Sequence, residues 1–256
     1  MGEGANSRPT ALRFACLSGN ALKLIAALFM VIDHAGVLFF PGVAIFRILG
    51  RLSYPIFAFM IAEGCRYTKH KMRYFLSVFL LGALCQAVYY AYSRSTYLSV
   101  LITLSVGILV TYALQFFKGR LFAEKRSALR IALSFLLFAG AVGGAWLLNR
   151  VLRIDYGFWG CMLPVFASLM EIPQTASPRW KALDRIPLRV CALGIGLLML
   201  ALAWRGWQLY SLLALPLLLL YSGKRGKWRM KSFFYIFYPA HLLLLEGLHM
   251  LLSLLS

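Results

Sequence analysis

Apolar runs of about twenty residues, parted by short polar or basic connectors, recur along the whole 256-residue chain. A run of that length crosses the hydrocarbon core of a bilayer as a helix. The pattern predicts nine such segments, at 22–40, 44–65, 73–93, 97–117, 128–149, 156–171, 188–204, 206–222 and 232–254. The sixth is the shortest and contains Pro164, so it reads as a tilted or re-entrant piece as readily as a full crossing, which leaves eight or ten crossings open. The expected fold class is all-α: a polytopic transmembrane helical bundle forming one domain over 22–256, preceded by a cytoplasmic segment, 1–21. Pro173, Pro178 and Pro187 bracket the longest polar connector, EIPQTASPRWKALDRIP, which is too short for a separate soluble domain.

Composition agrees with the pattern. Hydrophobic residues make up 61% of the chain and charged ones 14%, below the quarter or so usual in soluble domains. The net charge of +19 does not point to nucleic acid, because 21 of the 27 Lys and Arg fall in, or within three residues of, the N-terminal segment and the second, fourth, sixth and eighth connectors. That alternation is the positive-inside bias, and it predicts a cytoplasmic N-terminus. The other six are Arg47, Arg51, Arg94, Arg150, Arg153 and Arg205. The five cysteines lie far apart, without metal-like or disulfide-framework spacing, and read as small hydrophobes. Residues 1–20 lack a cleavage site of the signal-peptide kind, so the first span is expected to stay attached.

Against this background the first two segments are unusual. They carry Lys23, Asp33, His34, Arg47, Arg51 and Glu63, and each ionisable group at mid-membrane costs roughly 2.5–3.5 kcal/mol on insertion scales. Eleven residues of helix bring Lys23 and His34 onto one stripe about 16.5 Å apart, with Met30 one turn before the histidine. Asp33 points about 100° away from His34 and is better placed to face Arg47 or Arg51 on the second segment. A lone intramembrane histidine often only bonds a backbone carbonyl; beside an acid and two arginines, a neutral His34 reads as a base. Arg51, the deeper arginine, needs a carboxylate, a phosphate or a developing oxyanion. Arg47 reads equally well as snorkelling to the interface. Pro55 interrupts the helix ladder four residues after Arg51 and frees backbone groups that are tolerated only beside protein or a cavity. Glu63, near the end of its segment, has two readings: pairing with Arg66 or Lys69, or contact with a cytoplasmic ligand. Farther on, Asp155 and Tyr156 open the sixth segment, and Tyr238 and His241 share a face of the last one, past Pro239. Interfacial aromatics would account for the tyrosines alone; His241 near mid-span is expected to be functional.

The blocks IDH, GR…YPIFAF…EG and YPAHLL, in this order, with LITLSVGIL and IDYGFWG between them, resemble the TraX family, named for an F-pilin acetylase. The Lys-x10-His spacing is also similar to the Arg-x10-His of membrane acyltransferases that acetylate cell-surface polysaccharides, with Lys23 standing where that group has arginine. The resemblance implies an integral-membrane acyltransferase of the bacterial inner membrane. Acetyl-CoA or a longer acyl-CoA would be the donor, and the acceptor an amine or hydroxyl of an envelope protein or glycan; no metal is expected. It implies His34, Asp33 and Arg51 as the catalytic set. Lys23, Arg47, Glu63, Arg66 and Lys69 are the expected contacts for the CoA donor, and Asp155, Tyr156, Tyr238 and His241 those for the acceptor. A transporter or flippase, which also needs buried charges and broken helices, and a scaffold whose charges only pair helices remain the competing readings.

Overall fold

The computed structural model describes residues 10–94, 96–228 and 230–255; positions 1–9 of the expected N-terminal segment lie outside them. The described chain is helical throughout: α1 (Gly19–Phe39), α2 (Ala44–Gly50), α3 (Ser53–Tyr67), α4 (Lys71–Ser93), α5 (Val100–Leu121), α6 (Ala128–Val151), α7 (Gly157–Ser168), α8 (Pro178–Lys181), α9 (Ile186–Trp204), a 3-10 helix (Gly206–Leu213), α10 (Ala214–Leu219) and α11 (Lys231–Leu255). Its only β pairing among the described residues is three isolated bridges. Seven helical stretches among them are long and apolar enough to cross a membrane. The remaining two apolar stretches, Gly157–Ser168 and Gly206–Leu219, are shorter. They occupy the sixth and eighth predicted segments.

Local chemistry explains the breaks. The second segment divides into α2 and α3 at Arg51–Leu52, because Pro55 lacks the N–H that would reach the carbonyl of Arg51 and its ring crowds that carbonyl. As the third residue of α3, Pro55 needs no partner. Pro216 occupies the same place in α10 and parts it from the 3-10 helix. In α7 and α11, Pro164 and Pro239 sit inside helices that continue past them.

α7 is the centre of the bundle. Twelve residues rise about 18 Å, well short of a bilayer, yet nine of them are buried against α3, α5 and α9. Gly107 of α5 admits α7 closely, since a Cβ there would meet the Cys161 carbonyl oxygen at 2.7 Å and Pro164 Cγ at 3.0 Å. The main core joins α1, α3, α7, α9 and α10 through Leu22, Ile56, Phe59, Leu163, Leu197 and Leu218. α4, α6 and α11 present mostly exposed surfaces, as lipid-facing helices do. Two ends result. One gathers Thr10–Leu17, which bridges to Arg185 and Tyr221, with the starts of α1, α4 and α9; it carries most of the basic connectors. The other gathers the α4–α5 and α6–α7 connections, joined by the Leu98–Ile154 bridge.

Candidate functional site

At the basic end the buried charges answer one another. Glu63 of α3 pairs with Arg189 in the first turn of α9 and accepts a 2.8 Å bond from the Tyr221 hydroxyl. Arg66, one turn on, makes a two-pronged pair with Asp184 at 2.8 and 2.7 Å. The carbonyls that α7 leaves unpaired where it ends inside the bundle are met by cations from neighbouring helices. Lys118 Nζ donates to the oxygens of Ser168, Leu169 and Glu171 at 2.7, 2.6 and 2.9 Å, and Arg189 Nε donates to Ala167 O at 3.0 Å. Charge that looked like a topology signal is thus partly a device for ending α7 in mid-bundle. Glu63 and Arg66, expected at a CoA donor, have their charges met within the chain. Of the other expected donor contacts at this end, Lys23 is half-buried within electrostatic reach of Glu63 and Arg225, and Lys69 is exposed.

The second constellation lies toward the other end. Asp33 of α1 accepts from Arg47 Nη1 at 2.8 Å and from Arg51 Nη2 at 3.3 and 3.2 Å, the pairing that helix geometry predicts. The approach is made possible by Gly50, since a Cβ there would overlap the Asp33 carboxylate. Arg47 therefore groups with the catalytic set rather than with the other expected donor contacts. His34 stands five residues before the end of α1 at Phe39, about 7.5 Å along the axis, so it is nearer this end than mid-span. Its Nδ1 lies 2.7 Å from Met30 O. A carbonyl can only accept, so Nδ1 carries the proton and Nε2 the lone pair of a neutral ring.

His241 of α11 repeats the arrangement, with Nδ1 2.9 Å from Phe237 O. The two imidazoles meet edge to face with centroids 5.2 Å apart. His241 is 5% exposed, and its Nε2 is buried without a partner. Tyr238 meets the His241 ring at 5.6 Å. Tyr54 stacks on Tyr156 at 4.0 Å and keeps its hydroxyl buried without a partner, as does Arg51 its Nε. Asp155, in the connection entering α7, accepts from the Tyr97 hydroxyl at 3.0 Å. Burial pushes its carboxyl up to about 6, although the Tyr97 bond, the Tyr156 N–H and Arg51 all pull the other way. Asp33, His34, Arg47, Arg51, Asp155, Tyr156, Tyr238 and His241 are thus brought to one neighbourhood by α1, α2, the α6–α7 connection and α11. It combines lone-pair imidazoles, a guanidinium with an uncommitted N–H, and a free phenol, the groups that accept a proton and steady an oxyanion.

The family described as TraX protein matches residues 18–249, which takes in every helix named above except the last residues of α11. The chain belongs to the TraX family. A relative from Dichelobacter nodosus, named "Probable fimbrial assembly protein FimC, serogroup H1", is 26% identical over 250 residues, covering 91% of this chain and 96% of that protein. No solved structure matches the chain. Sequence reading of this TraX chain missed Arg189, Lys118 and Asp184, the partners that hold the basic end together, and Tyr54. A signal for Arg189 was present, since it falls inside the apolar segment 188–204 although its charge was counted with the connector before it; Lys118 lies one residue past 97–117 and gave none.

Proposed function

We propose that this TraX-family chain is an integral-membrane acyltransferase of the bacterial inner membrane. It carries an acetyl group from cytoplasmic acetyl-CoA to an amine or hydroxyl of an envelope acceptor. The observation that carries the reading is His34: its Nδ1–H is committed to Met30 O, which leaves Nε2 as a base, beside Asp33 fastened to Arg47 and Arg51. The name of the Dichelobacter relative adds fimbrial subunits to the acceptors considered.

In this reading the thioester arm enters from the basic end past Lys23 and Lys69. The acceptor N–H or O–H gives its proton to His34 Nε2 as its heteroatom bonds to the acyl carbon. Arg51, held by Asp33, faces the carbonyl oxygen as it becomes an oxyanion, with the Tyr54 hydroxyl as a second donor. The C–S bond then breaks, and the proton taken from the acceptor passes to the CoA thiolate. His241, edge-on to His34 with an open Nε2, is the second group in reach of that proton. Asp155, Tyr156 and Tyr238 border the acceptor's approach.

The experiment is thiol release from acetyl-CoA by the purified protein, compared with a His34→Ala variant of matched thermal stability. Loss of release supports the assignment, and undiminished release removes His34 as the base.

A further inference from the structure

A cavity of about 650 Å³ opens at the end of the bundle that carries Asp155, a size common for small-ligand sites, roughly 300–1,000 Å³. Its walls are the last turns of α6 and α9 and the connection into α7. Trp146, Trp159 and Trp204 supply aromatic faces, Arg150 and Arg153 supply guanidinium groups, and Asn149 an amide. Gly157, also in the lining, holds φ +58, and a Cβ there would stand 3.3 Å from Asn149 Oδ1 and 3.6 Å from Trp204 Nε1. With no side chain there, the backbone approaches both polar groups closely, and Asn149 and Trp204 both belong to the lining.

The charge pattern makes these arginines notable. Basic residues are concentrated at the opposite end, and every one of the six that are not is an arginine. Two of the six serve Asp33. The other four, Arg94, Arg150, Arg153 and Arg205, take part in none of the ion pairs among the described residues. A residue that only anchors a helix end in the headgroups can be lysine as well as arginine. Guanidinium retained where the topology bias removes cations, on the wall of a hollow, is suited to a planar oxyanion. Arg150 lies over the Trp146 ring at 5.0 Å, so its fork is braced by the aromatic wall. Among the described residues no carboxylate lines the cavity, so an ammonium group would find no counter-charge on those walls. The broad indole faces match the apolar face of a sugar ring, and Asn149 and the indole N–H match its hydroxyls.

We propose that this cavity binds an anionic sugar unit, carboxylated or phosphorylated, and is where the acceptor docks. Its place in the fold fits: Tyr97, on the cavity wall, donates its hydroxyl to Asp155, which lies within the field of Arg51. Calling the ligand an acceptor rests on the acyl-transfer reading, whereas the binding does not.

The test is a tryptophan-fluorescence titration of the full-length protein in nanodiscs, without acetyl-CoA. The probes are tri-galacturonate and its methyl ester, which is the same trisaccharide without charge. Tri-galacturonate is expected to give a saturable change. The ester, and an Arg150→Gln/Arg153→Gln variant titrated with tri-galacturonate, should each bind roughly tenfold more weakly. The Arg150→Lys/Arg153→Lys variant should fall between, since it keeps charge and loses the fork. Equal binding of acid and ester, or of wild type and the Gln variant, overturns the proposal. So does a change that follows the phosphatidylglycerol content of the disc and not the sugar, which would make this a lipid-headgroup site. Binding of an acidic hexapeptide in place of the sugar would assign it to a polypeptide. Acyl transfer failing while tri-galacturonate still binds would sink only the acceptor role.

Discussion

His34 of α1 and His241 of α11 meet edge to face, 5.2 Å between ring centres, each with its Nδ1 committed to the carbonyl one turn before it in its own helix. The matching tautomers leave an Nε2 lone pair on each of the two neighbouring rings, and that of His241 is buried without a partner. His241→Phe keeps a ring for Phe237 to stack on and removes both nitrogens. It is expected to lower the rate of CoA release by about 10²-fold with a small change in KM for acetyl-CoA. A variant with unchanged turnover would make His241 a packing residue.

The Glu63–Arg189 pair should govern stability rather than turnover. Arg189 is 0% exposed, so Arg189→Met strands a buried carboxylate and is expected to cost about 3–5 kcal/mol. Adding Glu63→Gln removes the stranded charge and should restore part of the loss. Thermal unfolding of the wild type and the two variants in one detergent checks this, and an undiminished loss in the double variant would contradict it.

Gly50→Ala places a methyl group where the Asp33 carboxylate lies. It should separate Asp33 from Arg51 and reduce acyl transfer by roughly tenfold or more for a shift of about 1 Å. Leu52 and Tyr54, just along the chain, belong to the main core with Leu22, Ile56 and Phe59, so thermal stability should fall as well, and acyl transfer is compared at a temperature where both proteins are folded.

Asp155 gives a pH dependence with a definite sign. Its carboxyl rises from an ordinary 3.8 to about 6 because burial disfavours the charge. Between those values the native chain holds a proton that the unfolded chain has released. The stability from this group is therefore complete below about pH 4 and declines as pH rises through 6. Asp155→Asn should remove that slope, so the variant gains on wild type in melting temperature between pH 4.5 and 7.5. A difference constant with pH would contradict the assignment.

Much of the fold was legible because period and apolar run length act locally. The segments at 22–40 and 232–254, the break before Pro55 and the facing of Asp33 toward Arg47 and Arg51 all follow from helix geometry within or between adjoining elements. The lengths of α7 and α10 were harder to read. An apolar run of sixteen or seventeen residues suggests a crossing, whereas the Lys118 and Arg189 side chains that let α7 stop in mid-bundle come from distant helices. The two histidines were each singled out by their cost in a membrane, but their meeting depends on α11 packing against α1, which no local pattern encodes. Glu63 and Arg66 show the converse: their charge was legible, and their partners, Arg189 and Asp184, were not.

The central claim is that an acyl group changes hands at His34. Its most direct test uses sealed proteoliposomes with acetyl-CoA on the face exposing the basic connectors and hydroxylamine as a small acceptor. Acetyl hydroxamate and free CoA thiol should appear in equal amounts with the wild-type protein and fall to background with His34→Ala. Hydroxamate formation unaffected by that substitution, or passage of labelled acetyl-CoA to the other face with no thiol released, would contradict the account.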